Sequence, residues 1–294
     1  MRGYEVGNKG HHPAATRIRP VCARIRIRAQ ACAAILDMGA GLRQILGRAQ
    51  QGDPLMRIPA FLLALAAMAP AFAAEFDSPW MDPMSALIID PYAGNSIDWG
   101  KLASQPRVVA VIHKSTIGTK RIDPGYFKRK QEAAELGYLW GSYHWGVAGN
   151  PKKQADFYID TIKPAPDELI ALDLEDAQSK TLMNVDEAII FMERIKERTG
   201  RYPVLYTNHA SARLIASKYK DSVLAKAPLW YARFKAKVTD FPTGAWSSYT
   251  LWQFSSEIAA QLPVPGTKPD MDINVFNGTV EQLKASWPLT KNAP

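Results

Sequence analysis

From residue 86 onward, short apolar runs alternate with longer amphipathic stretches. Apolar runs of four to seven residues are typical of buried strands, whereas apolar positions three or four apart over a longer stretch are typical of helices. On this basis eight strands are predicted, at residues 86–90, 108–114, 138–144, 169–173, 204–207, 229–232, 250–254 and 271–273.

Helix-start signals lie between the predicted strands. An Asp or Asn precedes a proline at two positions, and a capping box is present at a third: Asp123-Pro124, Asn150-Pro151, and Asn184 with Glu187. These are the residue types preferred at helix N-termini. Strand–helix alternation predicts a parallel sheet. About eight strands in ~200 residues predict an α/β fold, a single compact and irregular (β/α) barrel.

A separate pattern occupies residues 56–74. Arg57 is followed by an apolar run over 58–69 and by small residues at Ala71 and Ala73. This order is typical of a secretory signal peptide, and the run is shorter than the ~20 residues that span a bilayer. We predict cleavage near Ala73/Ala74 and a secreted or periplasmic protein without stable membrane insertion. An uncleaved N-terminal anchor is the alternative.

Residues 1–55 differ from the rest in charge. They hold nine Lys or Arg against three Asp or Glu, and they contain both cysteines, Cys22 and Cys32. Because a signal peptide is read at the N-terminus, we interpret this stretch as an over-extended or disordered basic segment and Met56 as the true start. A genuine basic arm is the alternative. Of the formal net charge of +8, residues 1–55 carry +6 and Arg57 adds +1. Only about +1 then remains for residues 75–294, which include the predicted domain at 80–290, so no nucleic-acid partner is expected.

Two carboxylates, Asp173 and Glu175, follow the apolar run 169–172. Residues two apart in a strand point to the same face, roughly 6–7 Å from each other. Two acids on one face at the end of a core strand are costly unless they are hydrogen-bonded or take part in chemistry. Glycoside hydrolysis requires such a pair. The simpler alternative is that Asp173 caps a turn beside a surface Glu175.

Other predicted strands also end in polar or aromatic residues, where a barrel places its functional groups. Candidate substrate-binding residues at these ends are Lys114, Tyr143, Tyr206, Tyr231 and Gln253. Trp145 and Trp252 are further candidates for stacking walls. The histidines and acids lack the spacing of a zinc site, so neither a metal nor another cofactor is predicted.

Ten short motifs resemble, in order, those of the glycoside hydrolase family 25 lysozymes. They are Ile88-Ile89-Asp90, Ile97-Asp98-Trp99, Lys114-Ser115-Thr116-Ile117-Gly118, Gly141-Ser142-Tyr143-His144, Gln154-Ala155-Asp156-Phe157, Leu172-Asp173-Leu174-Glu175, Leu205-Tyr206-Thr207, Leu229-Trp230-Tyr231-Ala232, Trp252-Gln253-Phe254-Ser255-Ser256 and Asp272-Ile273-Asn274. The resemblance implies an α/β barrel that hydrolyses the β-1,4 bond between N-acetylmuramic acid and N-acetylglucosamine in peptidoglycan glycan strands.

The resemblance also implies roles for four acids. Glu175 corresponds to the general acid and Asp173 to its partner, while Asp90 and Asp272 match the other active-site acids. Asp173 could be a nucleophile or could orient the substrate's own N-acetyl oxygen, and the second is favoured. Pro91 and Ile117 depart from the family pattern at the rim of the groove.

Two other functions stay open at this point: a chitinase-like hexosaminidase, and a non-catalytic barrel that binds peptidoglycan. The presence of four acids argues against a pure binding module, which does not need a costly carboxylate cluster. We expect the protein to be a monomer.

Overall fold

The computed structural model describes residues 75–256, 262–268 and 270–290. Its strands are β1 (Phe76–Asp77), β2 (Ser85–Ile89), β3 (Val108–Ile117), β4 (Arg121–Ile122), β5 (Leu139–Trp145), β6 (Leu169–Leu174), β7 (Val204–Asn208), β8 (Leu229–Ala232), β9 (Lys237–Val238), β10 (Leu251–Ser255) and β11 (Ile273–Thr279). All eight predicted strands are present, and the last begins two residues later than predicted and runs six residues further.

Eight of these strands close into a barrel. Their order is β2-β11-β10-β8-β7-β6-β5-β3, and pairing of β2 with β3 closes the ring. The short strand β4 forms a hairpin with β3, and β1 pairs with β9 outside the barrel. The predicted α/β barrel is therefore confirmed.

The predicted all-parallel sheet is wrong in one strand, because β11 runs antiparallel to both β10 and β2. The connection that precedes β11 stays at one end of the barrel, where Thr267 bridges Ile97. The chain therefore enters β11 from the end at which β10 finishes. Asp272, which directly precedes β11, consequently lies at the same rim as the C-terminal ends of the parallel strands.

Helices surround the barrel, and the last of them packs Leu283 against inward-facing residues of the strands. They are α1 (Trp99–Leu102), α2 (Tyr126–Glu135), α3 (Pro151–Ile162), α4 (Val185–Thr199), α5 (His209–Lys218), α6 (Val223–Lys226) and α7 (Val280–Ser286), with a 3₁₀ helix at Pro79–Met81. None of the helices in the described part of the chain is long and apolar enough to cross a membrane.

The helix-start predictions have different outcomes. The capping box of Asn184 and Glu187 is present at the start of α4. Asn150 precedes Pro151 at the start of α3 as predicted, although its side chain makes no capping hydrogen bond. Asp123 does not cap α2, since that helix begins at Tyr126 with Gly125 at the cap position.

The strand alternation divides the core into two layers. Residues 169 and 171 of β6 pack inside the barrel, whereas residues 170, 172 and 174 pack against the helices. The inner layer includes Tyr143, Tyr206 and Trp230. Because successive side chains alternate, the position of a residue within its strand decides whether it reaches the barrel interior.

Residues 1–74, which include the predicted basic segment and signal peptide, lie outside the described residues. The described chain begins at Glu75, and Phe76 of β1 already packs with Phe241, Tyr249 and Trp252.

Candidate active site

A pocket of about 240 Å³ lies at the barrel end where β3, β5, β6, β7, β8 and β10 finish. Among the described residues it is lined by Asp90, Tyr92, Lys114, Tyr143, Trp145, Asp173, Glu175, Tyr206, Trp230, Phe234, Gln253, Ser256, Asp270 and Asp272. All four predicted acids therefore meet in one cavity, although they are separated by up to 182 positions in the sequence.

The β6 strand supplies the central pair of carboxylates. Asp173 is its penultimate residue, pairs across the sheet with Trp145 of β5 and Tyr206 of β7, and is 5% exposed. Glu175 follows two positions later and is more accessible. The Oδ1 atom of Asp173 is buried and has no hydrogen-bond partner within the protein.

Burial raises the pKa of both carboxyl groups. The pKa of Asp173 lies well above its usual range because of burial and the nearby charge of Glu175. The pKa of Glu175 is also raised, again mainly by burial, while the Lys114 cation opposes the increase. The pair therefore retains protons at a pH where isolated carboxyl groups would be ionised.

Asp90 is the third acid, and it sits in a network of amide donors. Gln253 Nε2 donates to its Oδ1 and Oδ2 at 3.1 and 3.2 Å, and Asn274 Nδ2 donates to Oδ2. Burial and the charge of Asp272 nevertheless raise the pKa of Asp90 well above its usual range.

Two aromatic side chains fix the orientation of these amides. Trp230 Nε1 donates to Asn274 Oδ1 at 2.6 Å, and Tyr206 OH donates to Gln253 Oε1 at 2.9 Å. An indole N–H is only a donor, so the oxygen of Asn274 must face Trp230 and its NH₂ group must face Asp90.

Lys114 is the cation of the pocket among its described lining residues. Its Nζ atom lies over the rings of Trp145, Tyr92 and Tyr143, at 4.3, 4.9 and 5.8 Å from their centroids. Aromatic faces attract a cation, which holds the ammonium group against the wall.

The structure changes the predicted substrate-binding set in one respect. Lys114, Tyr143, Tyr206 and Gln253 line the pocket, but Tyr231 does not. Tyr231 is fully buried on the outer face of β8, where its hydroxyl hydrogen-bonds to His209 Nδ1 at 2.6 Å. Trp252 likewise packs outside the barrel.

Trp230 is the large inward-facing side chain of β8, and it pairs in register with Tyr206 of β7. Its ring meets that of Tyr206 edge to face at 5.0 Å. The alternation of strand side chains could have identified Trp230, but only once the inward position of the neighbouring Tyr206 was known.

Four further pocket residues were not predicted from the sequence: Tyr92, Phe234, Ser256 and Asp270. All four lie in loops, where neither helical nor strand periodicity indicates the direction of a side chain. Asp270 has a buried Oδ1 without a hydrogen-bond partner, as Asp173 has.

Side chains at the junction of β7 and α5 hold the segment that carries Glu175. Thr207 Oγ1 donates to Leu174 O at 2.8 Å, and Asn208 Nδ2 donates to Glu175 O. Asn208 Oδ1 also accepts from Ser211 N at 2.9 Å and so caps α5. The backbone on both sides of the Glu175 side chain is therefore tied to a helix N-terminus.

A closed barrel with a cluster of carboxylates at the strand ends is the architecture of a barrel-type glycoside hydrolase. Comparison with known proteins leads to the same class of enzyme. The model of the glycosyl hydrolases family 25 matches residues 89–261, which is more than half of the chain. The chain belongs to this family and is a glycoside hydrolase.

Solved structures of similar fold include two of about one-quarter sequence identity. A muramidase from Trichobolus zukalii is 25% identical, with a TM-score of 0.55 over 68% of this chain and 97% of that one. A bacterial lysozyme from Streptomyces coelicolor is 26% identical, with a TM-score of 0.55 over 68% of this chain and 95% of that one. The uncharacterized protein YegX of Escherichia coli K12 is 26% identical over 67% of this chain and 71% of its own length.

Proposed function

We propose that the protein is a peptidoglycan muramidase that cleaves the β-1,4 bond between N-acetylmuramic acid and N-acetylglucosamine. The observation that carries the proposal is the meeting of Asp90, Asp173, Glu175 and Asp272 in one pocket, with Asp173 near the end of β6 and Glu175 directly after that strand. The similarity to a muramidase and a lysozyme at 25% and 26% identity supports the choice of polymer.

Glu175 is proposed as the general acid. It is the more accessible member of the β6 pair, so it can reach a glycosidic oxygen, and burial raises its pKa so that it holds a proton to donate. The Lys114 cation opposes this rise in the pKa of Glu175, because a nearby positive charge favours the ionised carboxylate.

Asp173 is proposed to orient the substrate's N-acetyl group rather than to attack the sugar. Its Oδ1 has no partner within the protein and the residue lines the pocket, so the carboxylate is proposed to accept the acetamido N–H. Hydrogen bonding to the ionised form of a carboxylate favours that form. Substrate binding would therefore leave Asp173 ionised and Glu175 protonated, and the acetamido oxygen would be held against the anomeric carbon.

Asp90 and Asp272 are proposed to supply negative charge that stabilises the positively charged transition state. Burial is the main cause of the raised pKa of Asp90 and Asp173, and Coulomb repulsion from Asp272 adds to it for both acids. Charge that develops on a sugar ring between them would relieve that repulsion, so the attraction is greatest in the transition state.

The bond that is cleaved can be tested directly. Purified peptidoglycan and chitin are digested in parallel, the new reducing ends are labelled by borohydride reduction, and the sugars are identified after acid hydrolysis. We expect reduced N-acetylmuramic acid from peptidoglycan and slow cleavage of chitin. Reduced N-acetylglucosamine from peptidoglycan, or preferred cleavage of chitin, would contradict the muramidase assignment and favour a chitinase-like hexosaminidase.

A further inference from the structure

The pocket rim carries an exposed aromatic side chain that the catalytic proposal does not use. Tyr92 follows Asp90 by two positions, lines the pocket and is 42% exposed. Large exposed aromatic side chains beside a cavity are typical of ligand-binding surfaces, since burial of the ring by a ligand is favourable.

The loop beneath Tyr92 is rigidly held. Tyr92 N donates to Asn95 Oδ1 at 2.8 Å, and Arg129 donates from Nη1 to Tyr92 O at 2.6 Å and from Nη2 to Asn95 O at 2.5 Å. Ala93 N donates to Asp123 Oδ2 at 3.1 Å. The exposed ring is therefore attached to a backbone that is already ordered, which lowers the entropic cost of binding.

The ring itself is supported from two sides. It lies against Gly94, where a β-carbon would come within 2.4 Å of Tyr92 Cε2. Lys114 Nζ lies 4.9 Å from the ring centroid and contacts the Trp145 ring as well. Tyr92 and Trp145 thus flank one cation on the same wall of the pocket.

Arg129 connects this loop to the lysine. Besides its bonds to the loop, Arg129 Nη1 donates to His113 Nε2 at 3.1 Å, and His113 Nδ1 donates to Lys114 O at 2.6 Å. Burial lowers the pKa of His113 to about 4, so the ring is neutral and its Nε2 can accept from the guanidinium. One guanidinium group therefore sets the relative positions of Tyr92 and Lys114.

We propose that Tyr92 is a sugar-binding residue at the pocket rim, which stacks on the apolar face of a β-linked N-acetylhexosamine, and that Arg129 is the residue that positions it. This inference rests on the proposed function and adds a binding surface beyond the four acids. A pyranose ring presents axial C–H groups on one face, and an aromatic ring matches that face in size and polarity.

The test uses soluble glycan strands from peptidoglycan whose stem peptides have been removed, so that only sugar contacts contribute. For Tyr92→Ala we expect KM to rise about tenfold with kcat within about twofold of wild type, because loss of one aromatic contact weakens binding by about that factor. Tyr92→Phe keeps the ring and should restore the wild-type KM. The control is Phe127→Ala, at an aromatic residue that is 55% exposed but does not line the pocket.

A Tyr92→Ala enzyme with unchanged KM, or with reduced kcat at unchanged KM, would overturn the proposal. A failure of the proposed function can be told apart from a failure of the Tyr92 proposal by measuring binding separately from cleavage. The dissociation constant of the same strands is therefore also measured with the Glu175→Gln and Glu175→Gln/Tyr92→Ala proteins. Strands that bind the wild-type protein without being cleaved would refute the proposed muramidase function, while the difference in dissociation constant would still decide the role of Tyr92.

Arg129 is tested by a double-mutant cycle. Arg129→Gln should raise KM several-fold in the wild-type background and have little further effect in Tyr92→Ala, because it acts through Tyr92. Additive effects would overturn its positioning role. Gly94→Ala provides an independent variant if Arg129→Gln does not fold. Its β-carbon would displace the ring and should reproduce the rise in KM, and an unchanged KM would count against the stacking role of Tyr92.

Discussion

The carboxyl groups of Asp173 and Glu175 differ in their surroundings although they belong to the same strand end. Asp173 is 5% exposed with one oxygen unpartnered, and Glu175 is more accessible and lies within the electrostatic influence of Lys114. Two carboxyl groups in such different surroundings can take different roles, one as the general acid and the other as its ionised partner.

The first prediction at the residue scale concerns Glu175→Gln. The amide keeps the size of the side chain but cannot donate a proton to a glycosidic oxygen. General acid catalysis typically contributes ~10²–10⁴-fold, so the rate of peptidoglycan cleavage should fall by at least ~100-fold while binding of glycan strands persists. The rate is measured by reducing-end release.

Glu135→Gln is the matched control, because Glu135 is an exposed residue of α2 that lies outside the pocket. It should retain wild-type activity. Near-wild-type cleavage by Glu175→Gln would remove Glu175 from the role of general acid.

The second prediction concerns Asp173→Asn and pH. The pKa of Asp173 is raised in the folded state above the ~3.9 of an unfolded chain, so the folded state binds more protons between those two values and wild-type stability falls as pH rises. Asp173→Asn has no ionisable group at this position, so it should not show this loss of stability with rising pH. We expect its Tm to equal or exceed that of the wild type at pH 7, the difference to shrink toward pH 4, and activity to fall strongly.

Thermal unfolding followed by circular dichroism at several pH values tests this expectation. A variant that melts well below the wild type at pH 7 would indicate that Asp173 stabilises the fold instead of straining it. Full activity together with lower stability would identify a structural carboxylate.

At the scale of elements, the β7–α5 junction positions the catalytic strand end. Its Thr207 and Asn208 side chains bond to the carbonyl oxygens of Leu174 and Glu175. Ser211 Oγ accepts from Ala177 N at 3.0 Å, one turn into α5. Three residues at the end of β6 and just after it are thereby held by side chains that do not themselves line the pocket.

The third prediction is that Asn208→Asp lowers kcat about tenfold or more. Aspartate still caps α5, but it cannot donate to Glu175 O and places a carboxylate oxygen against that carbonyl, so the segment that carries Glu175 must shift. Small misplacements of reacting groups are costly for catalysis. The kcat and the Tm are measured together.

Asn184→Asp is the control for this variant. Asn184 caps α4 in the same way, accepting from Glu187 N at 3.0 Å, and lies away from the pocket. Its activity should not change. Equal activity of the two variants would show that the Asn208 bond to Glu175 O does not position the acid.

At the scale of the whole molecule, the first residues that the structure describes are already in contact with the domain. Glu75 forms an ion pair with Lys237, and β1 pairs Phe76 with Val238. Phe76 also packs edge to face on Phe241 and Tyr249, at 5.2 and 4.9 Å. Cleavage near Ala73/Ala74 would leave all these contacts intact.

The fourth prediction is that the exported protein starts at Ala74 or Glu75 after translation from Met56. Cleavage further along would remove Phe76 and with it an aromatic contact of the outer core. Intact-mass measurement of periplasmic or secreted protein tests both claims. A mass that includes residues 1–55 would contradict the proposed start, and one that includes residues 56–73 would favour an uncleaved anchor.

The sequence determined the barrel and the central acids for a local physical reason. Buried strands are mostly apolar, so the eight runs were visible, and the strand ends followed from where those runs stop. Asp173 and Glu175 are expected to point the same way because side chains two residues apart in a strand share a face, and both line the pocket although Glu175 lies just beyond β6.

The tertiary structure decided what local pattern could not. Tyr231 and Trp230 are adjacent in sequence, and only the register of β8 against β7 shows that Trp230 faces the pocket. Because β11 runs antiparallel to its neighbours, Asp272 lies at the rim of the pocket. Tyr92 lies at the same pocket because it belongs to the loop that follows β2. Burial, which raises the pKa of Asp173 and Glu175, is likewise a property of the closed barrel, because residues distant in sequence supply the surroundings that exclude water.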